Sequence, residues 1–236
     1  MENFNTSKTQ GLPKTGYEFL TRTYGWMFLA LIISAVAAYA GSHVYAVAKF
    51  VWGTRYTIFV LCGLELALVI GLTAAIRKIS VSAAVTGFLA YSLINGLTIS
   101  SIFLIYSVQS IFLAFMSTAI MFGLMSIYGI TTKKNLATAG HYLMMALLGL
   151  IVVSVVNAIV SIFVGRLGML DWILSLATVV IFTGLTAYDA QKVAMLSVHD
   201  NGSEDFKKVS IFAALNLYLD FINIFLSLLR LFGRSK

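Results

Sequence analysis

The feature of the sequence that most restricts its fold is a long uncharged stretch in its middle. The 54 residues from Ile79 to Thr132 contain no lysine, arginine, aspartate or glutamate. A helix that crosses the hydrocarbon core of a bilayer needs about 20 predominantly apolar residues. This stretch is therefore too long for one span and long enough for two. Because backbone amides in a bilayer must be hydrogen-bonded internally, it predicts a pair of transmembrane helices.

The composition extends this prediction to the whole chain. Of the 236 residues, 60% are hydrophobic and 11% are charged, whereas ordinary soluble domains are roughly 25% charged. Strands of a membrane barrel would alternate apolar and polar side chains over about ten residues, and the sequence lacks that alternation. We therefore predict an all-α integral membrane protein with seven transmembrane helices. The predicted spans are approximately residues 25–47, 57–76, 81–105, 110–130, 141–164, 172–191 and 209–230.

The polar regions define the predicted domains and orientation. Residues 1–22 are interpreted as a cytoplasmic N-terminal tail, and residues 23–236 as a single seven-helix transmembrane domain. The tail and the even-numbered loops carry ten lysines and arginines, and the other loops carry three. Positive charge collects on the cytoplasmic side of membrane proteins, which predicts a multi-pass protein with a cytoplasmic N-terminus. The net charge of +7 then fits anionic lipid head groups as partners, and no nucleic acid is expected.

The C-terminal third leaves the topology open at one point. Seven complete spans place Arg230, Arg234 and Lys236 outside, whereas a last segment that enters and returns keeps them inside. We favour seven complete spans. Residues 192–208 contain both acidic and basic side chains and are predicted to be the longest loop between spans.

Three acidic side chains lie within the predicted spans: Glu65, Asp189 and Asp220. An aspartate at mid-membrane costs about 2.5–3.5 kcal/mol on insertion scales, so it usually faces the bundle interior or water. Asn216, Asp220 and Asn223 share one face of the last span, because spacings of four and three stack side chains on one side of a helix. This face predicts that the last helix runs through the centre of the bundle. Asp220 could instead stay protonated and only bind a neighbouring helix.

Asp189 and Asp220 would form a switch if the last two spans bring them together. Two like charges about 4 Å apart repel by roughly 4 kcal/mol at an effective dielectric constant of about 20. Such a pair could share one proton near neutral pH and would titrate as a unit. The two aspartates are therefore candidates for a pair that responds to physiological pH. The alternative for Asp189 is a helix-end residue exposed to lipid head groups.

Other polar positions are weaker candidates. Glu65 could line an ion pathway or bind a neighbouring helix. Arg77 could pair with the aspartates, as could Lys78, or it could anchor its helix at the head groups. Asn216 and Asn223 share the face of Asp220 and could support the aspartate pair. The histidines are far apart and lack metal-ligand spacing, so no cofactor is expected.

An enzymatic function is not expected. Intramembrane aspartyl proteases also place two aspartates on their sixth and seventh spans, and Tyr188 and Asp189 match the first of their motifs. The second motif requires a Gly-x-Gly run, but Asp220 follows Leu-Tyr-Leu. The proline expected in a third motif is also missing, because the chain contains one proline, Pro13.

Two C-terminal motifs resemble those of a known family. Residues 184–192 read GLTAYDAQK, and residues 215–225 read LNLYLDFINIF. They are similar to the Bax inhibitor-1 family (the transmembrane Bax inhibitor motif proteins), and specifically to a bacterial member, which implies an inner-membrane location. The resemblance implies a last helix wrapped by the other six, and a pH-sensitive leak with calcium as the permeant ion. It implies that Asp189 and Asp220 are the pH-sensing latch of this leak and transient ligands of calcium. It also implies supporting roles for Glu65 and for Arg77 or Lys78.

Two other functions remain open. Some bacterial relatives are linked to membrane protein quality control, so the chain could bind membrane proteases or other membrane proteins and modulate their turnover. That partner would contact the N-terminal tail or residues 192–208. A lesser alternative is a proton-coupled cation transporter.

Overall fold

The structure is a computed structural model that describes residues 14–76, 78–165 and 168–234. In this part of the chain nine helices follow one another. They are α1 (Lys14–His43), α2 (Tyr45–Trp52), α3 (Arg55–Ala75), α4 (Val81–Ile99), α5 (Ile102–Ile105), α6 (Val108–Thr131), α7 (Ala137–Val164), α8 (Gly168–Val198) and α9 (Glu204–Phe232).

Seven stretches are long and apolar enough to cross a membrane. They are α1, α3, α4 together with α5, α6, α7, α8 and α9. The all-α fold with seven spans is therefore confirmed. Serine side chains start two of these spans: Ser80 accepts a hydrogen bond from the Ala83 amide at 3.2 Å, and Ser107 accepts one from the Ser110 amide at 3.2 Å. Each bond satisfies one of the amides that a helix N-terminus leaves unpaired.

Helix α9 is the most buried of the seven spans. Within an apolar stretch of 18 residues in α9, 67% of the residues are buried, compared with 11% in the corresponding stretch of α3 and 6% in that of α7. It packs against α1, α4, α6 and α8, while α3 and α7 turn most of their surface outwards. That α9 is enclosed by all six other spans stays a prediction.

Small residues allow α1 and α4 to approach closely. A Cβ atom on Gly96 would lie 2.4 Å from the carbonyl oxygen of Ser34, and one on Gly41 would lie 2.8 Å from the Ser100 side chain. Close contact through small side chains is typical of helices packed in membranes.

Helix α1 begins at Lys14, within the residues 1–22 that the sequence assigns to the tail, and the boundary of the tail stays a prediction. Residues 1–13 lie outside the described part of the chain. Phe19 is fully buried and packs edge-on against Phe206 of α9, with ring centroids 6.3 Å apart. This apolar anchor extends α1 beyond the hydrophobic segment read from the sequence.

The predicted loop over residues 192–208 is also much shorter in the structure. Helix α8 continues to Val198 and α9 begins at Glu204, so residues 199–203 make the connection. The charged residues of this segment lie among apolar ones that the helices bury, such as Val193, which is 2% exposed. Lys208 is buried beside Asp205, with its Nζ atom 2.8 Å from the Asp205 Oδ1 atom.

The C-terminal end of α9 lies at the end of the bundle where α6 begins. The Ser107 amide donates a hydrogen bond to the Arg234 carbonyl at 3.2 Å, and the Arg234 amide donates one to the Ser110 hydroxyl at 3.0 Å. Helix α9 is continuous over its 29 residues, so the alternative of a segment that enters and returns is wrong. The seven spans therefore place Arg234 at the end opposite Lys14.

Candidate functional site between the last two helices

Asp189 and Asp220 lie on α8 and α9, which form the most extensive helix pair in the described structure. Asp220 is 3% exposed, and Asp189 is half-buried. Their carboxyl groups are near enough to interact electrostatically. The two aspartates that the sequence singled out thus interact electrostatically across the interface of these helices.

The surroundings of Asp220 are short of hydrogen-bond donors. Thr186 of α8 is the hydroxyl residue beside its carboxyl group, but that hydroxyl donates to the Phe182 carbonyl at 2.8 Å. The Oδ2 atom of Asp220 is buried and has no hydrogen-bond partner among the described residues. A hydroxyl carries one hydrogen but can also accept. Thr186 can therefore receive a hydrogen bond from Asp220 when that carboxyl group is protonated.

Asp189 has a more polar setting than Asp220. Lys192, which follows it by three residues on α8, is the neighbouring cation and is itself exposed. Among the described residues, Lys208 and Asp205 form the one salt bridge whose nitrogen and oxygen atoms lie within 4.0 Å of each other. Neither aspartate of the candidate latch is thus fixed by a salt bridge within the described chain.

The region of α8 around Asp189 is held tightly by α6 and the loop after it. A Cβ atom on Gly129 of α6 would lie 2.2 Å from the Ala187 carbonyl oxygen. The Gln191 side chain donates to the Lys134 carbonyl and accepts from the Leu136 amide, both at 2.8 Å. Sequence reasoning missed these contacts, although Gln191 stands in the same motif as Asp189.

Asn216 and Asn223 share the α9 face of Asp220 but make no hydrogen bond to either aspartate among the described residues. The Asn223 amide donates to the Leu219 carbonyl of its own helix at 2.8 Å. Both asparagines are half-buried, whereas Ser227, one turn further along, is fully buried. Their supporting role stays a prediction.

Glu65 belongs to a different polar cluster, on the other side of α9. Its Oε2 atom accepts a hydrogen bond from the Asn95 amide at 3.4 Å, and the Tyr218 hydroxyl donates to the Asn95 Oδ1 atom at 2.8 Å. The Ser34 and Tyr218 hydroxyl oxygens are 2.6 Å apart, and Ser34 donates to the Ser92 carbonyl at 2.7 Å. The cluster links α1, α3, α4 and α9.

Sequence reasoning missed this second cluster, which we call the tyrosine cluster (Ser34, Glu65, Asn95 and Tyr218). A signal was present, because a buried tyrosine hydroxyl usually finds a hydrogen-bond partner and Asn95 is an amide within a predicted span. No pattern in the sequence pairs Asn95 with Tyr218, because the two residues are 123 positions apart.

Two basic candidates, Arg77 and Lys78, follow the end of α3 at Ala75. Arg77 lies outside the described residues, so its role stays a prediction. Lys78 is exposed. Within the described ranges no group of three histidine, cysteine or acidic side chains could hold a metal ion. Calcium takes six to eight oxygen ligands, so two carboxyl groups alone would bind it only transiently.

The fold and this aspartate pair define a class: a seven-span helical membrane protein with ionisable groups buried between its last helices. The chain matches the family model described as inhibitor of apoptosis-promoting Bax1 over residues 17–236. It belongs to the Bax inhibitor-1 family.

Relatives match over most or all of the chain. It is 39% identical to the inner membrane protein YbhL of Escherichia coli K12, with both chains covered completely. It is 39% identical to a protein of Borreliella burgdorferi over 93% of each chain. It is 37% identical to a protein of Deinococcus radiodurans, over 92% of this chain and 90% of that one.

Proposed function

We propose that this protein is a pH-sensitive cation leak of the bacterial inner membrane, with calcium as the permeant ion and Asp189 and Asp220 as the gate. One observation carries the proposal: the carboxyl groups of Asp189 and Asp220 interact electrostatically across the interface of α8 and α9, and Asp220 is 3% exposed. Ionisable residues inside a membrane bundle usually mark an ion or proton pathway. The inner-membrane location is supported by the name of the relative YbhL, and we place the N-terminus in the cytoplasm.

The closed state is the one in which the pair shares a proton. A protonated carboxyl group donates a hydrogen bond to the other carboxylate and so holds α8 and α9 together. Hydrogen bonds that involve a charged group are roughly twice as strong as neutral ones. Thr186 accepts or donates as the shared proton moves, because its hydroxyl adjoins Asp220.

The open state follows the loss of the shared proton. Two carboxylates about 4 Å apart repel by roughly 4 kcal/mol at an effective dielectric constant of about 20, which favours separation of the helices. Gly129 and Gln191 hold α8 near Asp189, so we expect α9 to move more than α8. The exposed carboxylates attract cations and repel anions, and their hard oxygens suit calcium. In this scheme Arg77 stabilises the ionised pair.

The experiment is calcium efflux from vesicles that contain the purified protein, measured across a series of pH values. Asp189→Asn and Asp220→Asn should each flatten the pH response. Asp171→Asn is the matched control, since Asp171 lies at the other end of α8 and accepts a hydrogen bond from Asn157 at 2.7 Å. A pH response that survives both latch changes would reject the proposal.

The same vesicles separate the two alternative functions. A proton-coupled transporter needs a proton gradient, whereas a leak conducts without one. A protein that modulates proteolysis would retain its partners after both aspartate changes and lose them when residues 199–203 are replaced. Those residues form the α8–α9 connection.

A further inference from the structure

A cavity of about 610 Å³ opens between α6 and α9, at the end of the bundle opposite Lys14. Its mouth is lined by Ser107, Gln109, Ser110 and Arg234, and its wall includes Leu113 and Ser117 on α6 and Leu228 and Phe232 on α9. Pockets that bind small ligands measure about 300–1,000 Å³ and combine apolar walls with a few polar groups. The volume of this cavity falls in that range, and the cavity likewise combines an apolar wall with a few polar groups, here at its mouth.

The mouth of the cavity is positively charged. The backbone of Arg234 is tied to α6 by its hydrogen bonds with Ser107 and Ser110. Its exposed guanidinium group makes no hydrogen bond or salt bridge with the described residues, so it can meet a ligand. The first turn of α6 adds the partial positive charge of a helix N-terminus. The lining contains no acidic side chain, so the site suits an anion and is poorly suited as an entrance for calcium.

The wall of the cavity suits a hydrocarbon chain. Phe232 is 76% exposed and Leu113 is 56% exposed, and both lie at the membrane-facing junction of α6 and α9. A cationic mouth above an apolar groove complements a molecule with an anionic head and an acyl tail. Arginine is well suited to the head, because its guanidinium group can form paired hydrogen bonds with a phosphate.

We propose that this cavity is a binding site for an anionic phospholipid of the leaflet opposite the N-terminal end of α1. The phosphate lies against Arg234 and the first turn of α6, and one acyl chain lies along Leu113, Leu228 and Phe232. The site is separate from the aspartate pair, and it stands whether or not the protein conducts ions.

The test measures lipid-dependent stabilisation of the full-length protein in detergent at high salt, which screens general surface attraction. Bound lipid raises the unfolding temperature by mass action, so a titration yields an apparent Kd. We expect phosphatidylglycerol to bind more tightly than phosphatidylcholine. Arg234→Gln should weaken phosphatidylglycerol binding about tenfold, as expected for one charge-assisted hydrogen bond.

Arg230→Gln is the matched control, because Arg230 is exposed near the same end of α9 and does not line the cavity. Its effect should stay below about twofold at high salt. Ser117→Phe fills the groove and should weaken both lipids. Equal effects of the two arginine changes, equal binding of the two lipids by the unchanged protein, or the same stabilisation by inorganic phosphate alone would each overturn the proposal.

Discussion

Tyr218 and Asp220 lie two residues apart on α9 and bind on opposite sides of that helix. The Tyr218 hydroxyl contacts Asn95 of α4 and Ser34 of α1, whereas the Asp220 carboxyl group interacts electrostatically with Asp189 of α8. Two residues correspond to a rotation of about 200° around a helix. The two interactions therefore both depend on the rotation of α9, and a motion that releases one side strains the other.

Removal of the Tyr218 hydroxyl should loosen α9. In the Tyr218→Phe variant the buried Asn95 and Ser34 groups lose a partner, which costs about 1–3 kcal/mol of unfolding free energy. We expect a lower unfolding temperature and a higher calcium leak at acidic pH, where the unchanged protein is closed in the proposed scheme. Tyr91→Phe is the control: Tyr91 is 5% exposed, and its hydroxyl makes no hydrogen bond with the described residues. Equal effects of the two changes would contradict a specific role for Tyr218.

The leak should increase as pH rises. The closed state binds one more proton than the open state in the proposed scheme, so acid favours the closed state and alkali favours the open state. Calcium efflux from vesicles at stepwise higher pH should rise through the titration of the pair. A fall in efflux over the same range would reverse the assignment of the protonated pair to the closed state.

Asp189→Asn and Asp220→Asn should not be additive. Residues that act as one unit show strong coupling, because the first change already removes the interaction. The double variant should therefore have nearly the same pH response as either single variant. Independent, additive effects on the response would show that the aspartates titrate separately.

Glu65→Gln distinguishes two roles for this acidic residue. If Glu65 only binds Asn95, a neutral amide of the same shape keeps that hydrogen bond, and both stability and leak should be preserved. If Glu65 lines the ion path, the leak should fall while the unfolding temperature stays unchanged. From the hydrogen bond to Asn95 we expect the first result, and Glu65→Leu, which removes the bond, should lower stability by about 1–3 kcal/mol.

Gly129→Ala should disrupt the contact between α6 and α8. The added methyl group would lie 2.2 Å from the Ala187 carbonyl oxygen, and the backbone has to shift to accommodate it. Overpacking of this kind costs about 1–3 kcal/mol. Gly123→Ala, also in α6, meets nothing within 4 Å and should be neutral or slightly stabilising. Thermal unfolding of the two variants side by side measures the difference.

The seven spans could be predicted from the sequence, and the aspartates could be singled out as candidates, because both leave strong local signals. An uncharged run such as Ile79–Thr132 has few alternatives to membrane helices, and an acidic residue such as Asp220 in an apolar segment is conspicuous. The tyrosine cluster could not be predicted in this way. It depends on the rotation and depth at which α4 and α9 pack, and no local pattern specifies that Asn95 meets Tyr218.

Two helices are longer than the sequence indicated, for one physical reason: α8 continues into the predicted loop, and α1 begins within the predicted tail. Both predictions treated the limit of the hydrophobic segment as the limit of the helix. Residues such as Phe19 and Val193 are buried by neighbouring helices outside the apolar segments. Tertiary contacts of this kind prolong a helix beyond the part that the membrane requires.

Lys14 and Arg234 lie at opposite ends of the bundle, because the chain crosses it an odd number of times. A linker that joins these two positions would have to cross the membrane an eighth time. Circular permutation of this fold therefore requires an added transmembrane helix. Affinity tags fused near the two positions would report different compartments. A protease added to one face of sealed vesicles should remove one tag and spare the other.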